Sequence, residues 1–245
     1  MDNYTEEIWN NTAQGWSEHI NNRPEADLYR NHILHPMLLQ LLGDVKDKKV
    51  LDAGCGEGYL SRMLADMGAK VTSVDIAEKM LELAQAREAE KPRNISFAKA
   101  SLTDLSGIDE KFNIVVSNLV LNIIPVYKEV FVQLANVLDM DGTLVVSLPH
   151  PCFDGVGAGL VEIPDQGTRW SVNRYIDEVG GYAAHGAPTF HRPLSAYMNA
   201  AFEAGFVLTG FLEPVTPRQY SEMFPDHIRQ YDRIPSMVGM RFRKS

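Results

Sequence analysis

Apolar positions along the chain recur at two spacings, every second residue and every third or fourth, and the switches between them mark out the elements. The opening "TEEIWNNTAQGWSEHI" predicts a helix with Trp9 and Trp16, seven residues apart, on one face. Over residues 28–42, Ile33, Leu34, Met37, Leu38 and Leu41 form one stripe of a second helix, and Gly43 suits its C-cap. "KKVLDAG" predicts a short strand at Val50 and Leu51. Leu60, Met63, Leu64 and Met67 follow at helical spacing, Gly68 stops that helix, and "KVTSVD" is the next strand, completing a βαβ unit. The series continues with a helix over 77–90, strands in "NISFAKA" and "FNIVVSN", a helix over 126–138, a turn at "MDG" and a strand in "TLVVSL". Such alternation predicts an α/β fold, a doubly wound and mostly parallel sheet with helices on both faces. Right-handed crossovers bring the carboxyl ends of the strands to one edge, where open sheets bind ligands.

Between residues 149 and 191 the periodicity fails. The stretch mixes glycines and prolines with Phe153, Trp170, Tyr175, Tyr182 and Phe190, and is too long for an ordinary connection. It predicts a partly helical insertion over the ligand edge, because a mobile excursion would leave those aromatics exposed. "PLSAYMNAAFEAG" is a helix ending at Gly205. "FVLTGFLE" and "SMVGMRFRK" bring the strand count to seven and form an antiparallel margin, with the segment between them returning over the same edge. Residues 1–245 are therefore expected to be a single domain, with a helical lid over 1–42 and a substrate cap over 149–192.

Composition narrows the partners. A 45% hydrophobic and 22% charged chain is globular, and no apolar run approaches the roughly 20 residues that cross a bilayer. "MDNYTEEIWN" lacks the basic start and apolar core of a signal peptide, which predicts a cytoplasmic protein with no membrane partner. A formal charge of -9 opposes nucleic-acid phosphates, so nucleic acid is not expected as a partner. Two cysteines are too few for a thiolate zinc site, and a disulfide scaffold is unneeded at this size.

The densest signal is "VLDAGCGEGYLS". Gly54, Gly56 and Gly58 occupy a strand-to-helix turn, where backbone N–H groups face a ligand and missing side chains let it approach. No Gly-Lys-Ser/Thr ends the loop, which excludes a Walker site, and the spacing is GxGxG where a dinucleotide fingerprint needs GxGxxG. Asp52 and Glu57 bring negative charge to the loop, unfavourable for pyrophosphate and suited to an ammonium or sulfonium group. Asp75, 23 residues after Asp52, ends the next strand in a position to bind a ribose.

"VLDAGCGEG", "VTSVDIAEKML", "FNIVVSNLVLNII" and "LANVLDMDGTLVVSLPHP" together resemble, in order, the motifs of class I S-adenosylmethionine-dependent methyltransferases of the small-molecule type. The resemblance implies a Rossmann-like fold, S-adenosylmethionine as cofactor and S-adenosylhomocysteine as product. It places Gly54, Cys55, Gly56 and Gly58 around the methionine part, Asp52 near its ammonium, and Asp75 on the ribose. Ile76 falls beside adenine, Asn118 and Leu119 beneath the methyl, and Arg30 at the carboxylate. Where the family often has an aspartate near adenine, "FAKASLTDL" has Ser101 and Leu102, with Asp104 as an alternative.

The expected reaction is methyl transfer to a small-molecule N, O, S or C nucleophile by a monomer or homodimer. The alternatives are an RNA or protein methyltransferase and a non-catalytic cofactor-binding regulator. His150, in "SLPHPCF" at the active edge, either handles an acceptor proton or holds the turn before Pro151. His191, with Arg192, either serves the acceptor or forms a hinge. Tyr4, the third catalytic candidate, is expected to close the pocket with Trp9 and Trp16 as an N-terminal lid more than to act as a base. His19, His32, His35, His185 and His227 are scattered, so no metal is expected, and no GxSxG supports hydrolysis.

Overall fold

The computed structural model of the chain describes residues 2–21, 24–153, 158–165, 167–182, 187–221 and 233–245. The amino-terminal part is α1 (Asp2–Asn21), α2 (Pro24–Tyr29), a π-helical turn (Arg30–Leu34) and α3 (His35–Leu42). The one helix expected over 28–42 is thus interrupted. Pro36 has no N–H to give the carbonyl of residue 32, and the backbone widens by one residue so that the His35 N–H donates to the Arg30 carbonyl. Gly43 caps α3 as expected, its N–H donating to the Leu39 carbonyl at 3.0 Å.

The alternating region becomes β1 (Lys49–Ala53), α4 (Tyr59–Asp66), β2 (Lys70–Asp75), α5 (Glu78–Glu90), β3 (Ser96–Lys99), β4 (Phe112–Asn118), α6 (Tyr127–Val137) and β5 (Leu138–Pro149). Beyond it lie β6 (Ala158–Ile163), β7 (Gly167–Val172), β8 (Val179–Tyr182), β9 (Pro188–His191), α7 (Leu194–Glu203), β10 (Phe206–Leu212), α8 (Arg218–Ser221) and β11 (Met237–Lys244). Seven strands form one sheet in the order β10-β11-β5-β4-β1-β2-β3. β1 to β5 are parallel, and β11 runs antiparallel between β5 and β10. This is the mostly parallel, seven-stranded Rossmann-like sheet with an antiparallel margin.

Alternation along the strands feeds two cores. Leu51, Val115, Leu144 and Val146 face α6 and α7 through Phe131, Leu134 and Ala201, while Val50, Ile114, Val116 and Val145 face α3 and α4 through Leu38, Leu41 and Leu64. Burial on both faces explains the near-continuous apolar runs in these strands. A third cluster joins α1 to α5 through Trp9, Ala13, Ala77 and Met80.

Two expectations require correction. The inserted stretch is not partly helical among the described residues: β6 pairs with β7 and β8 with β9 as two antiparallel ribbons, in keeping with the extended backbone that its β-branched and aromatic residues, such as Val161, Ile163, Trp170 and Val172, favour. "MDG" is not a free turn but an irregularity inside β5, where the pairing with β4 slips between Leu138 and Thr143 and Asp141 takes φ 63°. Half of the segment expected to return over the ligand edge, residues 222–232, lies outside the described residues, as do His185 and His227. No helix among the described residues is long and apolar enough to cross a membrane.

Candidate functional site

Connections from β1 and β4 leave in opposite directions across the sheet, and a crevice opens at their carboxyl ends. There lies a cavity of about 600 Å³, within the roughly 300–1,000 Å³ typical of small-molecule sites. Of the twelve positions assigned to the cofactor from sequence, all but Gly58 line it. Gly58 instead starts α4 in the left-handed region at φ 75°.

The turn after β1 is held from two sides. The N–H groups of Gly54 and Cys55 donate to the Val74 carbonyl, both at 2.9 Å, and the Gly56 N–H donates to Asp75 Oδ2 at 2.8 Å. Asp75 Oδ1 accepts from the Ala77 N–H at 2.9 Å. Burial pushes the Asp75 carboxyl up, and these backbone donors oppose the shift. Behind the loop, Ser73 Oγ donates to Ser61 Oγ at 2.9 Å and Ser61 Oγ donates to Asp52 Oδ2 at 2.5 Å. Burial raises the Asp52 carboxyl to about 6, against the Ser61 hydrogen bond and with help from the charge of Asp75.

Glu57 has a different part from Asp52. Its buried carboxylate pairs with Arg87 at 2.5 Å and accepts from the Asn21 amide at 3.0 and 3.1 Å, so α1 and α5 match its charge internally. Across the cavity, Asn118 bridges Ser147, which donates to Oδ1 at 2.6 Å, and the Tyr59 hydroxyl, which accepts from Nδ2 at 2.7 Å. Leu119 follows at φ 59°, a conformation unusual for leucine, with its N–H on the Ser147 carbonyl at 3.0 Å. The π turn presents Arg30 at the wall, its guanidinium 5.5 Å from the Tyr59 ring centroid and 2.9 Å from Asp27.

Ile76 and Leu102 supply apolar wall, and Ser101 and Thr103 share a 2.7 Å hydroxyl contact beside them. Asp104, the alternative to Ser101, is not among the lining residues; its carboxylate accepts from the Ser106 N–H at 3.0 Å. Thr5, Trp9 and Trp16 of α1 close one side, the two indoles packed edge to face at 5.9 Å.

Tyr4, His150 and His191 do not line this cavity. Tyr4 is exposed, and its hydroxyl meets that of Tyr182 at 2.9 Å. His150 is buried with both nitrogens engaged: Nδ1 accepts from the Cys152 N–H at 3.2 Å, which leaves Nε2 to donate to Glu213 Oε1 at 2.7 Å. His191 Nε2 donates to the Tyr175 carbonyl at 2.9 Å. Sequence reading missed Tyr29, Tyr59, Met80 and Ile123 as wall residues. Tyr29 ends α2 directly before the π turn, for which Pro36 is the available sequence signal, and Tyr59 stands directly beside the glycines.

The arrangement fits a nucleoside bearing a cationic amino-acid arm. It offers the Asp75 carboxylate at the end of β2, an apolar slot, the buried acid Asp52 under a glycine turn and Arg30 at the rim. Among the described residues no group of three or more His, Cys, Asp or Glu side chains is placed to hold a metal.

A family model described as a methyltransferase domain matches residues 44–170. The chain is similar to a ubiquinone biosynthesis O-methyltransferase from Glaesserella parasuis, 32% identical over 133 residues, covering 51% of this chain and 56% of the relative. It is similar to a malonyl-[acyl-carrier protein] O-methyltransferase from Hamiltonella defensa, 32% identical over 110 residues, covering 45% of this chain and 41% of the relative. The match thus spans about half the length of these relatives. A crystal structure of an S-adenosylmethionine-dependent methyltransferase from Mesorhizobium loti superposes with a TM-score of 0.74 at 25% identity, over 85% of this chain and 96% of that one.

Proposed function

Since the chain belongs to the methyltransferase domain family, we propose that it transfers a methyl group from S-adenosylmethionine to a small-molecule nucleophile and releases S-adenosylhomocysteine. One observation carries the reading: the Gly54–Gly56 turn, with its Gly56 N–H on the Asp75 carboxylate, opens together with Asp52 and Asp75 on one mostly aromatic and aliphatic cavity.

Asp75 takes the ribose hydroxyls, Ile76 and Leu102 enclose the adenine, and Ser101 and Thr103 offer hydroxyls at its edge. Asp52 faces the ammonium and Arg30 the carboxylate, with Asn118 and Leu119 beneath the reacting end. When bound, the cofactor supplies a sulfonium-borne methyl that the acceptor attacks in line. The protein contributes alignment and a dry wall: Trp9 and Trp16 exclude water on one side, and the Ser147–Asn118–Tyr59 chain fixes the other. With the His150 nitrogens engaged by the Cys152 N–H and Glu213, and with neither His150 nor His191 lining the cavity, no histidine base is assigned, and acceptors that arrive as anions or free amines suit the site. The net charge of -9 supports a small acceptor over nucleic acid.

The two relatives described above are named as O-methyltransferases, so carboxylates and hydroxyl compounds acidic enough to arrive as anions come first in a metabolite screen with labelled methyl donor. Calorimetry is expected to show binding of S-adenosylmethionine and S-adenosylhomocysteine that Asp75→Ala weakens strongly. Unchanged affinity in the folded variant would overturn the assignment.

A further inference from the structure

A second hollow, of about 20 Å³, lies between the inserted ribbons and the loop that follows β4, lined by Asn122, Pro149, Pro151, His191 and Arg192 among others. Its size passes the roughly 10–15 Å³ that one water requires. The Tyr175 carbonyl can only accept, so the neutral His191 ring carries its proton on Nε2 and keeps a lone pair on Nδ1. That Nδ1 is buried without a partner among the described residues, and so is Asn122 Oδ1. Two acceptors cannot bond to each other, but a water molecule donates two protons.

We propose that this hollow is a binding site for one structural water, donating to His191 Nδ1 and Asn122 Oδ1, and that His191 is a positioning residue. The neighbouring side chain grips the same loop. Arg192 is buried and donates to the carbonyls of Leu121 at 2.9 Å, Ile124 at 2.7 Å and Pro125 at 3.0 Å, with its guanidinium 4.3 Å from the Tyr127 ring centroid. Ile123 and Ile124, in the gripped loop, line the large cavity. The His-Arg pair at the end of β9 therefore clamps the wall of the cofactor site from outside it. This consequence for the cavity rests on the methyltransferase reading; the water site does not.

The test is a double-mutant cycle, because replacing both acceptors by apolar groups of similar shape removes the need for the water. Asn122→Leu alone strands His191 Nδ1, and is expected to lower the melting temperature by about 4 °C and to weaken S-adenosylhomocysteine binding about fivefold. In a His191→Phe background the same change is expected to do less than half as much. Nitrogen-15 spectra of the ligand-free protein above neutral pH should show His191 as the Nε2–H tautomer. Additive effects of the two substitutions, or an Nδ1–H tautomer, would overturn the water site. Coupled melting shifts with unmoved ligand affinity would overturn the clamp's tie to the cavity alone. A wild-type protein that binds no S-adenosylhomocysteine would overturn the functional reading and leave the melting and tautomer results to decide the water.

Discussion

Gly56→Ala separates folding from binding at the glycine turn. Gly56 sits at φ 53°, and a Cβ added there meets no protein atom within 4 Å, because it enters the cavity. The fold therefore loses only the left-handed penalty of a non-glycine residue, roughly 1–2 kcal/mol, or about 2–8 °C in a chain of this size. For a ligand seated on the loop the same methyl is an overpacked contact, worth about 1–3 kcal/mol and so roughly 5- to 150-fold in affinity. Gly54→Ala is the internal contrast. At φ 84° its Cβ would lie 2.7 Å from both Val120 γ carbons, so that substitution damages fold and wall together. Thermal unfolding and calorimetric titration with S-adenosylhomocysteine on both variants read the two effects. A folded Gly56→Ala protein with wild-type affinity would refute the placement of the cofactor against this turn.

Asp52 and Pro36 give two further expectations. The raised folded pKa of Asp52, about 6 against 3.8, means the native state holds an extra proton across that window. This group's contribution to stability is accordingly lost as pH rises from about 4 to 6, by about 3 kcal/mol; urea denaturation should show Asp52→Asn removing that slope, and an unchanged slope would exclude Asp52 as its source. Pro36→Ala restores the missing helical N–H, which is expected to preserve or raise the melting temperature while turning Arg30 from the wall and weakening S-adenosylhomocysteine about tenfold; wild-type affinity would show that the π turn does not place Arg30.

Much of the glycine-turn side of the cavity was legible in the chain because its determinants are local. The glycine turn, Asp52, Asp75 and Ile76 sit at element ends that the apolar periodicity marks, and the sheet order then gathers those ends at one crevice. The wall opposite was less legible. Tyr29 and Tyr59 reach the cavity through the π turn and the first turn of α4, a geometry that a stripe of apolar positions does not record. His150 and His191 illustrate the same gap in chemistry: the residue type left a proton-handling role open beside a turn or hinge role, and the available lone pairs were decided by Glu213, 63 residues from His150, and by the Tyr175 carbonyl, 16 residues from His191.

By itself the sequence determined the alternation of strands and helices, the two-faced burial of the sheet and the glycine loop that opens on the cavity. Each follows from periodicity and backbone freedom within some twenty residues. Only the tertiary structure decided that the insertion pairs as ribbons, that Glu57 is matched by Arg87, and that the histidines serve turns and a clamp. Strand pairing, charge partnership and hydrogen-bond donors are set by which distant groups share a buried space, and that depends on the packing of the whole chain.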